Sequence, residues 1–500
     1  MPYFPTYVKN VFVFENSFRQ AAAENARLPR FKASRSKLPE PFWGGHASAI
    51  ACYWKTWEIA FQNLRRPTRK NGFGANYIDT AFNNCLFMWD SAFIVMFASY
   101  GRRAFNFQAT LDNLYAKQHP DGFISREIRE ISGEDQFERF DPASTGPNIL
   151  PWSEWEYYLR TGDRDRLARV FPPLLAYYQW MRAYRTWRDG TYWSSGWGCG
   201  MDNQPRMDES RYSAAWSPAR MVWLDACLQA VYANRILQKM AGELDRLADV
   251  DGMQAEAAAL ERAVNTRLWD ERDGYYHDQD EFDVLVPARS VGAYWALLAG
   301  CVPPERLDRF IEHLRSPAEM NRPHRVPSLS ADHPAYEATG GYWRGAVWAP
   351  TNYMVLRGLD QVGEADLAYE IACNHLDNVL RVFEDTGTVW ENYAPETAAP
   401  GQPAKGDFVG WTGLPPVAVL FEYIFGIRPS GQDRLIWDVR RLEEHGIHRY
   451  PFGRAGTADL HCAARLSPQD KPVITVRADR PLEVEVRWDG GAEVLQAEVG

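Results

Sequence analysis

TYWSSGWGCGMDNQPRMD, Thr191 to Asp208, lies between two long helical runs at roughly 163–184 and 216–241 and fits neither a helical nor a strand period. Its glycines and Pro205 mark irregular backbone, and irregular backbone set among long helices is where function usually sits. The stretch packs Asp202, Asn203, Gln204 and Arg206 among Tyr192, Trp193 and Trp197. Aromatic rings cover the apolar faces of a sugar while polar side chains read its hydroxyls. Asp202 is the leading candidate for the general acid of a glycoside hydrolase.

Outward from this loop the chain is helical. Amphipathic patterns predict helices at about 46–64, 89–100, 103–117, 148–160, 163–184, 216–241, 252–268, 288–299, 303–315, 345–358, 362–382 and 410–425. The links alternate in length. Those after the second, fourth, eighth and tenth helices are brief, as in Gly101-Arg102 and Thr161-Gly162, and the one after the sixth is somewhat longer. Those after the odd-numbered helices run to roughly twenty or thirty residues rich in Gly, Pro, Trp and Asp. A brief link forces antiparallel neighbours, so every long link falls on one face. Twelve alternating helices with one elaborated face predict a mainly α fold, an (α/α)6 barrel of six hairpins around one funnel-shaped pocket. The barrel is expected over 46–430, after an extended arm at 1–45 that ends in LPEPFWGG. Beyond Pro429 the pattern turns to alternating apolar and polar residues, at Asp459–Arg465, Pro472–Ala478 and Leu482–Trp488. These predict a small C-terminal antiparallel β-domain over 431–500.

Composition narrows the function. Of 500 residues 14% are aromatic, which suits carbohydrate binding. A net charge of −10 argues against nucleic acid and anionic membranes as partners. Seven scattered cysteines show no CxxC spacing, and His277, His313, His324, His333 and His375 show no metal-ligand spacing, so neither a metal nor another cofactor is expected. The N-terminal MPYFPTYVKNVFVF has no secretory signature, and a cytoplasmic location is expected.

Hydrolysis of a glycosidic bond needs two carboxyls, one protonated and one ionised. Asp202 lies in the third long loop and Glu391 in the sixth, within TVWENYAPETAAPG (388–401). In a ring of six hairpins those loops stand on opposite walls of the pocket. That arrangement favours the wider separation of ~6.5–9.5 Å that admits a water and inverts configuration. Asp202 is expected to carry a raised pKa from its aromatic surroundings, and Glu391 to stay ionised beside a cation.

WDSAF at 89–93, QHPDG at 118–122, GMDNQPR at 200–206, GGYWRGAVW at 340–348 and WENYAPETAAPG at 390–401 together resemble the ordered motifs of glycoside hydrolase family sixty-three and its mannosylglycerate and glucosylglycerate hydrolase relatives. Spacing in the trehalase clan is similar. The resemblance spans roughly 46–427 and implies an (α/α)6 fold and inversion at α-glycosides, with Asp202 as acid and Glu391 as base. It places Trp89 and Asp90 in the sugar subsite, and maps Arg344 and Trp411 to further motif positions. The residues expected to hold a small carbohydrate are thus Trp89, Asp90, Gln118, Asn203, Arg206, Tyr342, Trp343, Arg344, Tyr393 and Trp411. The chain departs from the family around its acid, at Cys199, Met201 and Gln204, and after QHPDG, where it reads Ile124-Ser125-Arg126-Glu127. The expected activity is exo-acting hydrolysis of a small α-linked glucoside or related sugar. The alternatives are a non-catalytic carbohydrate-binding toroid, or an (α/α)6 epimerase or lyase.

Overall fold

The computed structural model describes residues 7–24, 26–79 and 83–500; residues 1–6 and 25 of the expected arm, and 80–82 ahead of the first loop motif, lie outside the described residues. Each of the twelve expected stretches holds a helix. They are α1 (Ala47–Gln62), α2 (Met88–Ala98), α3 (Thr110–Ala116), α4 (Leu150–Thr161), α5 (Arg164–Tyr184), α6 (Leu224–Glu243), α7 (Met253–Arg267), α8 (Trp295–Leu298), α9 (Pro304–Glu312), α10 (Ala349–Gln361), α11 (Ala365–Thr386) and α12 (Leu414–Ile424). The last is wound with the wider π-helical bonding.

Three bounds differ from expectation for local reasons. The run from 216 stays irregular until Leu224, because Pro218 is followed by Ala219 and Arg220 at positive φ, 50° and 53°. The expected helix at 288–299 opens as a 3₁₀ turn, Val291–Tyr294, capped by the Ser290 hydroxyl, which accepts from the Gly292 N–H. The expected helix at 103–117 likewise begins with a 3₁₀ turn, Phe107–Ala109, before α3.

The even-numbered helices pack in a cyclic order: α2 on α4, α4 on α6, α6 on α8, α8 on α10, α10 on α12, and α12 back on α2. Every residue of α2 is buried, so it has no polar face. Of the odd-numbered helices, α5 lies against α4 and α6, α7 against α6, and α11 against α10, α12 and α1.

Strands are β1 (Glu40–Trp43), β2 (Leu64–Arg65), β3 (Tyr77–Ile78), β4 (Cys85–Phe87), β5 (Glu127–Arg129), β6 (Trp269–Asp270), β7 (Tyr275–Tyr276), and a C-terminal series β8 (Ile427–Gly431), β9 (Arg434–Asp438), β10 (His445–Phe452), β11 (Gly456–Cys462), β12 (Ile474–Ala478), β13 (Glu483–Trp488), β14 (Gly491–Gln496) and β15 (Glu498–Val499). The C-terminal strands form a four-stranded sheet, β14-β13-β9-β8, and a five-stranded sheet, β1-β10-β11-β12-β15. Pairing is antiparallel except between β9 and β13 and between β12 and β15. Both exceptions join strands distant in sequence, which hairpin logic does not reach. The arm also supplies β1 as an edge strand of the five-stranded sheet, with Pro41 opposite Ile447. Its upstream part is pinned to the helices by Asn16, whose amide donates to the Tyr115 carbonyl and the Gln118 side chain, both at 2.9 Å.

Candidate active site

Residues from the first, second, third, fifth and sixth long links line a cavity of about 210 Å³. The first two are zipped together by β4 and β5, with Phe87 opposite Glu127. The Met88 N–H donates to the Arg126 carbonyl at 2.8 Å, and the Arg126 N–H to the Ser144 carbonyl at 2.8 Å. This pairing sets Trp89 and Asp90, in the first turn of α2, beside Arg126 and Glu127 on the cavity wall.

The third link enters through a one-turn helix, Gly196–Cys199, whose N-terminus is capped by the Ser195 hydroxyl. Gly200 ends it at φ +78°, and a β-carbon there would stand 3.3 Å from the Trp89 indole. Only glycine allows both the left-handed backbone and the close approach. The turn that follows delivers Asp202 to the cavity, half-buried. Asn203 next to it bonds the fifth loop rather than a ligand: its amide donates to the Gly341 carbonyl at 3.0 Å, and its side-chain oxygen accepts from the Trp343 N–H at 2.9 Å.

The opposite wall comes from the fifth and sixth links. Glu391 is 4% exposed. Its carboxylate accepts from the Tyr342 hydroxyl at 3.3 Å and from the Lys405 N–H at 3.2 Å, and its carbonyl accepts from the Trp411 indole at 2.8 Å. Trp343 stacks on Trp348 at 4.0 Å between ring centres, which holds it rigid beside the cavity.

Burial shapes the charges. It pushes Asp202 up to about 6, opposed by the nearby Arg126 charge. It pushes Glu391 up to about 7, opposed by the Lys405 N–H and the Tyr342 hydroxyl and reinforced by Asp202. Asp90 is raised well above the carboxylate range by burial, with the charges of Glu127 and Glu391 adding to it. Glu127 is raised in the same way, with Arg126 pulling it down. Glu391 therefore departs from the expectation of a plainly ionised base. The charge of Lys405 does pull it down, but the cover around its carboxylate outweighs that pull.

Trp89, Asp90, Asp202, Tyr342, Trp343, Glu391 and Trp411 line the cavity together. Gln118, Asn203, Arg206, Arg344 and Tyr393 do not, and each is held elsewhere. Gln118 donates to the Gly122 and Pro173 carbonyls. Arg206 is gripped by Asp225 and Asp278 at 2.6–3.0 Å, over the Trp223 ring. Arg344 pairs with Glu209 at 2.6 and 2.9 Å. Tyr393 exchanges backbone bonds with Val347, and its hydroxyl accepts from the Trp390 N–H. Cys199, Met201 and Gln204 are also buried outside the cavity. Of the aromatic rings around Asp202 in the sequence, Trp197 lines the cavity; the departure that reaches it is Arg126-Glu127, which with Gln136 and Phe137 received no role from the sequence. The unfamiliar reading after QHPDG was the signal available for that pair.

Comparison with known proteins bears on this geometry. Residues 84–412 match the family described as the mannosylglycerate hydrolase MGH1-like glycoside hydrolase domain. The chain is 26% identical over 389 residues to a mannosylglycerate hydrolase of Thermus thermophilus, covering 65% of this chain and 91% of that protein. A crystal structure of a glycoside hydrolase family 63 mannosylglycerate hydrolase from Thermus thermophilus, in complex with glucose, superposes with a TM-score of 0.60 at 22% identity, over 73% of this chain and 99% of that one. A family 78 rhamnosidase of a Bacillus species reaches 0.64 at 15% identity, over 90% of this chain and 43% of that one. No described helix is long and apolar enough to cross a membrane. The chain belongs to the MGH1-like glycoside hydrolases of family 63 and is a glycosidase.

Proposed function

We propose that this glycosidase is an inverting, exo-acting α-glycoside hydrolase of a small α-linked glucoside or related sugar, with Asp202 as general acid and Glu391 as general base. The observation that carries the proposal is the joint presence of both carboxyls in one aromatic cavity, each raised by burial, with the Asp202 charge acting on Glu391. Burial holds both carboxyls near neutrality, so a proton is available on the pair for transfer. Which of them is acid and which is base rests on the resemblance of GMDNQPR and WENYAPETAAPG to the family's motifs. The small volume suits a single sugar ring, hence exo action. Trp89, Trp343 and Trp411 would flank the ring, and Asp90 and Tyr342 would bind its hydroxyls. The cyclic packing of α2, α4, α6, α8, α10 and α12 supports an (α/α)6 barrel over 46–430, between an arm at 1–45 and a β-domain at 431–500.

In chemical terms, Asp202 donates its proton to the leaving oxygen as the glycosidic bond breaks. Glu391 takes a proton from the water that attacks the opposite face of the sugar. The test is a screen of nitrophenyl α-glucoside and α-mannoside, disaccharides and glyceryl glycosides, followed by proton NMR on the best substrate. The β-anomer is expected first. An α-anomer first would refute inversion, and an unsaturated product would mark a lyase.

A further inference from the structure

Arg126 and Glu127 occupy the same cavity as the paired carboxyls, yet nothing in hydrolysis itself calls for them. Arg126 is 8% exposed and lies over the rings of Phe137 and Trp197, at 5.0 and 5.6 Å. One of its nitrogens donates to the Trp197 carbonyl at 2.6 Å, and another makes a contact ion pair with Glu127, itself 5% exposed. Among the described residues lining the cavity Arg126 is the one cation, so its charge is already spent on Glu127. The other ionisable acids there, Asp90, Asp202 and Glu391, are carboxyls without a guanidinium partner. Toward solvent, Trp197 packs on Trp216 at 4.2 Å, and Trp216 is 43% exposed, with Phe137 beside both rings.

This wall is on the leaving-group side if Asp202 is the acid, and the inference rests on that assignment. Arg126 acts on Asp202 electrostatically, and its hydrogen bond goes to Trp197, in the same loop as Asp202. We propose that the Arg126–Glu127 pair makes the enzyme select a neutral aglycone, a sugar or polyol, and disfavour one that carries a carboxylate. A carboxylate placed here would lose its water, meet further acids and find no free cation. A neutral ring or polyol gives up its water at far lower cost, meets no charge repulsion and gains the faces of Trp197 and Trp216.

The experiment uses matched pairs, α-glucosylglycerol against α-glucosylglycerate and the two mannosyl counterparts, which differ by one hydroxymethyl-for-carboxylate exchange. Hydrolysis by the wild type is compared with that by Glu127→Gln and Glu127→Asp, and binding to Glu391→Gln is measured by calorimetry. The wild type should favour the alcohol by ~tenfold or more in kcat/KM, because like charges at close quarters are strongly disfavoured. Glu127→Gln frees Arg126 and should shrink that ratio several-fold, while Glu127→Asp, which keeps the pair, should retain it. A wild-type ratio near one, or a ratio unmoved by Glu127→Gln, overturns the proposal. If none of the four is cleaved but the alcohol still binds better, the proposed glucoside or mannoside substrate falls and the selection stands. Should Glu127→Gln not fold, the wild-type ratio and the binding preference decide.

Discussion

Two regions of this molecule bury carboxylates among aromatic rings and treat them in opposite ways. At the short-link ends of the helices, a cleft of about 840 Å³ is lined by Glu156, Arg160, Arg357 and Glu422. Glu422 is met by Arg160 at 2.7 Å and by the hydroxyls of Tyr100 and Tyr353 at 2.8 Å, and Glu156 by Arg357 at 2.8 Å. There the charges are spent on one another. In the smaller cavity on the long-link face, Asp90 and Asp202 have no ion-pair partner among the described residues, and Glu391 is pushed up to about 7 by burial. Burial alone marks neither region as a site. A buried acid left able to change its protonation state is what acid–base chemistry needs, and only the second region keeps such acids.

The sharpest way to break this contrast is to neutralise each side in turn. Asp202→Asn and Glu391→Gln should each lower kcat on natural glycosides roughly a thousandfold or more, with the fold intact by circular dichroism. A dinitrophenyl leaving group needs little protonation, so it should restore much of the rate to Asp202→Asn and none to Glu391→Gln. The reverse pattern would exchange the two roles. On the paired side the expected loss is in stability. Glu422→Ala strands Arg160 as a buried, uncompensated charge and should cost about 3–5 kcal/mol in urea unfolding. A cost below ~1 kcal/mol would mean that the network is incidental.

The smallest effect has the opposite sign. Glu391 titrates near 7 in the fold against an ordinary 4.5, so the native state holds the proton more tightly than the unfolded chain. Stability from this group is therefore full below about pH 4.5 and is lost as pH rises through about 7. Glu391→Gln removes the penalty and should stabilise the protein by about 2–3 kcal/mol at pH 8, with little change at pH 4. Equal shifts in Tm at both pH values would show that the carboxyl is not strained by burial.

Local chemistry made much of this legible. The 3.6-residue periodicity located all twelve helical stretches. Asp202, Glu391 and Trp89, singled out in the sequence as acid, base and sugar platform, do line one cavity. The misses share a cause. Asn203, Arg206 and Arg344 stand in the same loops and are the same kinds of residue that bind sugars, but their partners, Gly341, Asp225, Asp278 and Glu209, lie 19 to 138 residues away or arrive from another loop. Arg126 and Glu127 reach the cavity only because β5 pairs with β4, a registry no local pattern announces.

The amino-acid sequence by itself thus determined where the helices form and which carboxylates sit on the long links, because periodicity and link length act over a few residues. Which polar side chains face the cavity and which anchor its loops was decided by the tertiary structure. A buried polar group goes where its hydrogen bonds can be completed, and here those partners are brought in from distant parts of the chain.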